Sequence, residues 1–363
     1  MTRSLCLFNS NRAWGGGEQW FHTHALLLAR RGWRVCAVTN APSELGERLS
    51  SEPSIPLLRL PLGNLSFLNP AVLRRLGGFF RHNAVDTVIL ALPSDVKAGG
   101  LAAKLAGVRR IVFRRGIALP TRNTFLNRLY FQHVLTNLLC NSEHTRRMVL
   151  AENPDLIPLE RTAVVHNGLD LPAFDALSAE PLVPRTPGRV VIGCAGRLTE
   201  QKGHVYLLKA SALLRQRGLD VTVLLAGAGE LERDLRARTT ALGLDQNVRF
   251  LGFVKEMKRF YASIDILALP SLWEGFGYVL TEAMSMGLPV AAFDTSNIPE
   301  VVVHGETGLL SPVRDAEALT ADLELLVRDP DLRHRMGAAG RRRVEERFTL
   351  ERTILDLERL LLS

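Results

Sequence analysis

Short apolar runs alternate along this chain with longer stretches in which apolar residues recur at helical spacing, and the alternation persists from one end to the other. Runs bounded by Gly, Pro, Asn or Asp predict buried strands, and helical spacing predicts amphipathic helices lying against them. In the first half this gives strands over 4–9, 33–39, 56–60, 86–92, 108–113, 138–141 and 162–166. Helices are predicted over 18–31 and 70–82, a third carries Leu101, Ala102, Leu105 and Ala106, and Ser142 is placed as a helix N-cap. The second half repeats the pattern, with strands over 189–195, 221–226, 248–251, 264–269, 289–293 and 308–310. Its helices fall over 204–217, 279–286, 315–328 and 330–347, with another ending at 242. Leu350, Ile354, Leu357, Leu360 and Leu361 form the apolar stripe of a last helix. Strand, turn, helix and strand in unbroken succession predict an α/β fold of two doubly wound parallel sheets.

A chain of 363 residues exceeds one ordinary core, and Pro181, Pro184, Pro187 and Gly188 make 176–188 the expected linker. The expected divisions are 1–176, 177–346 and a terminal helix over 347–363. Residues 1–15 lack a secretory signal, and no apolar run approaches the ~20 residues that span a bilayer, so a cytoplasmic protein is expected. Cys6, Cys36, Cys140 and Cys194 all fall in predicted strands without paired spacing, which predicts buried free thiols.

Charge changes the picture. The formal net charge is +8, but residues 1–175 hold 21 Lys and Arg against 12 Asp and Glu, while the remainder holds 24 against 25. The basic excess is N-terminal, and such a field draws phosphorylated substrates or an anionic membrane surface, the latter giving a peripheral location at the inner face of the cell membrane. Nucleic acid is not expected, because no basic stretch is interleaved with stacking aromatics. The segment 65–81 mixes arginines with Phe67, Phe79 and Phe80 and admits two readings: an interfacial element, or a helix packing Leu73, Leu76 and Phe80 on the sheet with its arginines in water.

Candidate chemistry concentrates in the second half. After the strand over 264–269 comes a glycine-rich turn with Glu274, then a helix carrying Glu282 about one turn in. A glycine-flanked helix start offers N–H groups to phosphate, and two carboxylates accept from sugar and ribose hydroxyls, which suits a sugar nucleotide. Upstream, the loop Gly196 to Gly203 places Arg197 and Lys202 at a strand end, a fork and a mobile point charge for a diphosphate. In the first half, Gly15, Gly16 and Gly17 lie in a loop ahead of a helix but without the dinucleotide spacing, so no nicotinamide cofactor is expected. His22 and His24 are two apart on one helix and point to different faces, which argues against a shared metal.

Glu274, Gly275, Phe276 and Gly277 with Glu282 resemble the double-glutamate motif of the family-4 retaining glycosyltransferases, which have the GT-B fold: two Rossmann-like domains facing across a cleft. The loop Gly196 to Gly203 and the run His304 to Leu310 are similar to that family's other motifs, in the same order. The resemblance is strong over 189–312 and diffuse in the N-terminal half. It implies a hexosyl group moved from a nucleoside-diphosphate sugar to a saccharide or lipid-linked acceptor of a cell-envelope glycan such as lipopolysaccharide, without metal. It also implies that the last helix packs back on the first domain. On this resemblance Arg197, Lys202 and Glu274 carry the catalytic roles. Gly16, Gly17, Arg115, Gly196, Val254, Gly275, Phe276, Gly277, Val279, Leu280 and Glu282 line the donor, with Glu282 on the ribose and the N–H groups near Val279 and Leu280 on the diphosphate. Members often carry His where this chain has Arg115, which is expected to contact the transferred sugar or an acceptor anion. A sugar-nucleotide epimerase or hydrolase, and a non-catalytic sugar-nucleotide-binding protein, are the alternatives.

Overall fold

The computed structural model describes residues 3–184 and 188–362, so residues 185–187 of the expected linker lie outside the described residues. Contacts divide the chain into two units, one of residues up to His166 together with those from Ile354 onward, the other Asn167–Thr353.

The first unit is built on β1 (Ser4–Asn9), β2 (Arg34–Asn40), β3 (Leu57–Leu60), β4 (Thr87–Leu90), β5 (Arg110–Arg115), β6 (Asn137–Cys140) and β7 (Thr162–Val164). They form one seven-stranded sheet in the order β3-β2-β1-β4-β5-β6-β7. Every pairing is parallel, with Cys6 opposite Cys36 and Leu90 opposite Phe113. One face packs Phe8, Leu76, Phe80 and Phe131, the other Trp20, Phe21, Leu28 and, from the last helix (Leu350–Leu362), Ile354, Leu357 and Leu361. Parallel strands buried on both faces read as continuous apolar runs, which is why periodicity located them. Glu358 fixes that helix, accepting from Trp33 Nε1 at 2.8 Å and Arg31 Nη2 at 2.8 Å.

The second unit holds β8 (Val191–Ala195), β9 (Thr222–Ala226), β10 (Val248–Gly252), β11 (Ile266–Leu269), β12 (Val290–Phe293) and β13 (Gly308–Ser311), again all parallel, in the order β10-β9-β8-β11-β12-β13. Its helices include His204–Gln216, Tyr278–Ser285, Ala316–Arg328 and Pro330–Arg347, the last two capped by Asp315 and Asp329. This is the doubly wound arrangement expected from the sequence. The four cysteines are buried, free and in strands.

Several boundaries move by a few residues, two of them with a visible cause. The first helix starts at Gly16, not 18, because Gln19 N–H reaches Gly15 O at 2.9 Å and so brings two poor helix formers into its first turn. The strand expected over 108–113 becomes Arg110–Arg115, because Val108 N–H closes the preceding helix on Ala103 O at 3.0 Å. Over 65–81 the packed reading holds: Leu76 and Phe80 are buried in the helix Pro70–His82, while Arg74, Arg75 and Arg81 are exposed. Among the described residues no helix is long and apolar enough to cross a membrane.

At the carboxyl ends of β1 and β4, Asp95 is buried, and its Oδ2 accepts N–H groups from Leu92 at 3.0 Å and Ser10 at 3.3 Å. Its Oδ1 has no hydrogen-bond partner among the described residues. Burial lifts this carboxyl from its ordinary 3.8 to about 7. A raised carboxyl gives a stabilising contribution that is fully present below pH 3.8 and is lost as pH rises through about 7. His24 and His204, buried and lowered to about 3 and about 4, act in the opposite sense, losing stability as pH falls below their ordinary 6.5. Comparing Asp95→Asn with the parent therefore isolates the carboxyl: urea unfolding should show the variant gaining relative stability at pH 8 and losing that advantage by pH 5. A pH-independent difference would refute the assignment.

Candidate functional site

In the second sheet β8, β11 and β12 are neighbours, so the loops leaving their carboxyl ends meet at one edge. The loop after β8 runs from Gly196 through a short turn at Glu200–Lys202 to Gly203, which caps the helix His204–Gln216. Gly203 has φ 62°, and a Cβ there would lie 1.9 Å from Pro270 O, so only glycine lets this loop press on the one after β11. Three contacts then join the two: Leu272 N–H to Gln201 O at 2.8 Å, Gln201 Nε2 to Trp273 O at 2.9 Å, and Lys202 Nζ to Glu274 Oε1 at 2.5 Å. Ser271 Oγ donates to the same Glu274 oxygen at 2.7 Å. Glu274 is buried, as a carboxylate can be when a cation and a hydroxyl both address it. Arg197, by contrast, is exposed and makes only a long contact to Gln201 Oε1, 3.3 Å.

The loop after β12 supplies the third wall. Glu274 N–H donates to Ser296 Oγ at 3.2 Å, Thr295 Oγ1 to Leu272 O at 3.1 Å, and Asn297 Nδ2 to Phe276 O at 2.8 Å. Ser296 sits at φ 54°, a left-handed conformation unusual for serine, and Asn297 is buried. Sequence reading missed Gln201, Ser271, Thr295, Ser296 and Asn297. The only local signal was a cluster of small polar residues after an apolar run, which reads as an ordinary turn.

Gly277, at φ 78°, turns the acidic loop into the helix Tyr278–Ser285. Glu282 lies on that helix and accepts from the buried Tyr261 hydroxyl at 2.7 Å; its second oxygen takes no hydrogen bond among the described residues. Burial raises the Glu282 carboxyl above its ordinary value, against the lowering by the Tyr261 bond. Two features of this turn bear on its expected role. The Leu280 N–H is engaged by Gly277 O at 2.9 Å, because the left-handed glycine closes a tight turn. The Phe276 ring is buried against Phe348 and Tyr278, at ring distances of 6.2 and 5.2 Å, so it belongs to the core and only its backbone stays with the loop. Gly196, Gly275 and Val279 lie in the loops and turn just described, and Val254, after β10, is partly buried against the same core.

Gly16, Gly17 and Arg115 belong to the first unit, at the carboxyl ends of its strands. A Cβ on Gly16 or Gly17 would meet nothing within 4 Å, so protein packing does not require glycine there. Their helix start is tied to the end of β1 by the buried Glu18, which accepts from Asn9 Nδ2 at 3.1 Å and Asn11 Nδ2 at 2.9 Å. The Arg115 guanidinium donates to Leu119 O at 3.0 Å and lies 5.6 Å from the Phe113 ring centre, and burial lowers its pKa. It therefore holds the loop that follows β5. The adjacent Arg114 is buried with its guanidinium 4.0 Å from the Trp20 ring, and Trp20 stacks on His24 at 3.8 Å.

Two parallel-sheet units with loops converging at strand ends define the GT-B architecture, and comparison with solved structures agrees. A glycosyltransferase of Rickettsia africae superposes with TM-score 0.87 at 20% identity, covering 99% of this chain and 98% of that one. Anabaena HepE in complex with UDP superposes with TM-score 0.81 at 21% identity, covering 99% of each. The model of the glycosyl transferases group 1 matches residues 183–343, and that of glycosyltransferase family 4 matches 14–172. The two models fall on successive halves of the chain, each similar to glycosyltransferases. Among curated relatives, the lipopolysaccharide core biosynthesis mannosyltransferase LpcC of Rhizobium leguminosarum is 33% identical over 52% of this chain and 56% of its own length. A GDP-mannose-dependent phosphatidylinositol monomannoside mannosyltransferase of Mycolicibacterium smegmatis is 28% identical over 75% of each. The alignments to the first five such relatives span about half their length, 42% to 58%.

The three-loop geometry carries its own test. Asn297→Ala frees the buried Phe276 carbonyl, and a lost buried partner costs about 1–3 kcal/mol. Amide exchange over 273–277 should accelerate on the order of tenfold or more by mass spectrometry, while exchange in β8 and β11 stays unchanged. Equal acceleration everywhere would mean that Asn297 serves global stability and not this loop.

Proposed function

We propose that the protein is a retaining hexosyltransferase that moves a sugar from a nucleoside diphosphate to a saccharide or lipid-linked acceptor in the synthesis of a cell-envelope glycan. The observation that carries this is the convergence of Arg197, Lys202 and Glu274 at one edge of the second sheet, from positions as much as 77 residues apart. In this reading Arg197 and Lys202 neutralise the diphosphate as negative charge grows on its leaving oxygen, worth a few kcal/mol per pre-aimed donor. Glu274, fixed by Lys202 and Ser271, receives hydroxyls of the transferred sugar, and Glu282 offers its unpaired oxygen to the ribose. Gly196, Val254, Gly275, Gly277 and Val279 supply backbone and close packing around the donor.

The acceptor is assigned to the first unit, whose basic excess suits a phosphorylated or lipid-linked saccharide, with Gly16, Gly17 and Arg115 at its strand ends. The bond from the anomeric carbon to the diphosphate oxygen breaks, the acceptor oxygen bonds that carbon on the same face, and the acceptor proton passes to the leaving phosphate. Retention then needs no enzyme nucleophile. The two basic side chains take the part that a divalent ion plays in other transferases, so no metal cofactor is proposed. The relatives named for lipopolysaccharide core, capsule and amylovoran biosynthesis support the envelope assignment.

Arg197→Ala is the cleanest test, because that side chain is exposed and gives up only a long contact to Gln201. Nucleoside-diphosphate release from a panel of sugar nucleotides, with lipid-extract acceptor and with chelator present, should fall about a hundredfold in kcat/KM. Lys202→Ala should fall further. Release that ignores acceptor would favour a hydrolase or epimerase, and parent-like rates in both variants would overturn the assignment.

A further inference from the structure

A cleft of about 600 Å³ opens in the first unit at the amino ends of its strands, the edge opposite Gly16, Gly17 and Arg115. That volume is in the range of small-molecule sites. β2 begins at Arg34, yet β3 pairs with it only from Ala37 onward, so Arg34, Val35 and Cys36 have no strand on that side. The short edge strand leaves a gap, and Leu26, Trp33, Val35 and Cys36 give it an apolar floor. Both walls are fixed. Trp33 Nε1 donates to Glu358 Oε1 of the last helix at 2.8 Å. On the other side Ser4 Oγ donates to Ala84 O and accepts the Asp86 N–H at 2.9 Å. These two bonds hold the turn in which Ala84, a lining residue, sits at φ 46°, a left-handed conformation uncommon for alanine.

Charge on the rim favours an anion. Arg30 and Arg34 both line the cleft, both are exposed, and neither makes an ion pair among the described residues. Arg31, which lies outside the lining, is by contrast held by Glu358 at 2.8 Å. Glu52 is the one acid among the lining residues, and His82 adds a ring nitrogen. Guanidinium groups meet phosphate oxygens as a fork, and two of them at one cleft can hold a phosphoryl group from both sides.

We propose that this cleft binds a small organic phosphate, with the phosphoryl group held by Arg30 and Arg34 and an apolar or aromatic body resting on the floor formed by Leu26, Val35 and Cys36. A bare anion would leave that floor in water, and a neutral apolar molecule would leave both guanidinium groups without a partner. An added peptide strand would find only Arg34, Val35 and Cys36 to pair with, short of the about five or six residues of an ordinary strand. The site stands apart from the transfer reading, since it lies at the other edge of the sheet and requires neither donor nor acceptor.

The test is calorimetric titration of the full chain with phenyl phosphate, with inorganic phosphate and phenol as comparators. Phenyl phosphate should bind saturably, and each comparator should bind on the order of tenfold more weakly or less. Arg30→Ser with Arg34→Ser should weaken phenyl phosphate on the order of tenfold or more, as expected for lost hydrogen bonds to charged groups. Ala29→Phe keeps both arginines and fills the cleft from its lining, and it should weaken binding to a similar degree. Unchanged thermal melts would establish that these substitutions leave the fold intact. With phenyl phosphate bound, amide exchange should slow over 33–36 and 82–86 and stay unchanged over 196–203. No saturable binding by the parent, equal binding of either comparator, or parent-like binding by both variants would overturn the proposal. So would protection confined to 196–203, which would place the probe at the basic loop of the second unit.

Discussion

Because every strand within a sheet runs the same way, every loop leaving a carboxyl end opens at the same edge, and the rest of this molecule is arranged around that constraint. It acts most strongly where the chain reverses its direction of strand addition, between β8 and β11 in the second sheet and between β1 and β4 in the first. In the second sheet the reversal brings Lys202 onto Glu274. In the first it brings Asp95 against the backbone of Ser10. Both contacts join residues distant in sequence, and both sit where a parallel sheet has room for a ligand.

The two reversals are held in different ways. Glu274 is charge-compensated by Lys202 and hydrogen-bonded by Ser271, so its position is set before any ligand arrives. Preorganisation of this kind is what makes an electrostatic site effective, because no dipole has to turn during reaction. Asp95 is addressed by backbone N–H groups and by Ser10, with no cation beside it, and burial raises its pKa toward neutrality. One carboxylate is fixed by a charge, the other by uncharged donors.

Arginines are used in two ways, and both units hold examples of each. Along the helices of the second unit, Arg236, Arg238 and Arg328 are tied to carboxylates four residues away, and pairs at that spacing support the helix itself. Arg74, Arg75, Arg122 and Arg128 of the first unit are exposed and have no counter-ion among the described residues. Such pairs add little stability, so leaving arginines unpaired costs the fold little and keeps their charge available to a partner.

The sequence by itself determined the two parallel sheets, because strands buried on both faces must be apolar throughout and their helices must repeat at helical spacing. It also marked Arg197, Lys202, Glu274 and Glu282, whose charge beside glycine turns is visible in one dimension. Only the tertiary structure decided that Lys202 and Glu274 touch, that Ser296 and Asn297 hold the acidic loop, and that the Phe276 ring faces the core. Those facts depend on strand order, which no local pattern encodes. The cleft beside Arg30 and Arg34 was equally invisible, because the open edge of β2 exists only once the shorter β3 is laid beside it.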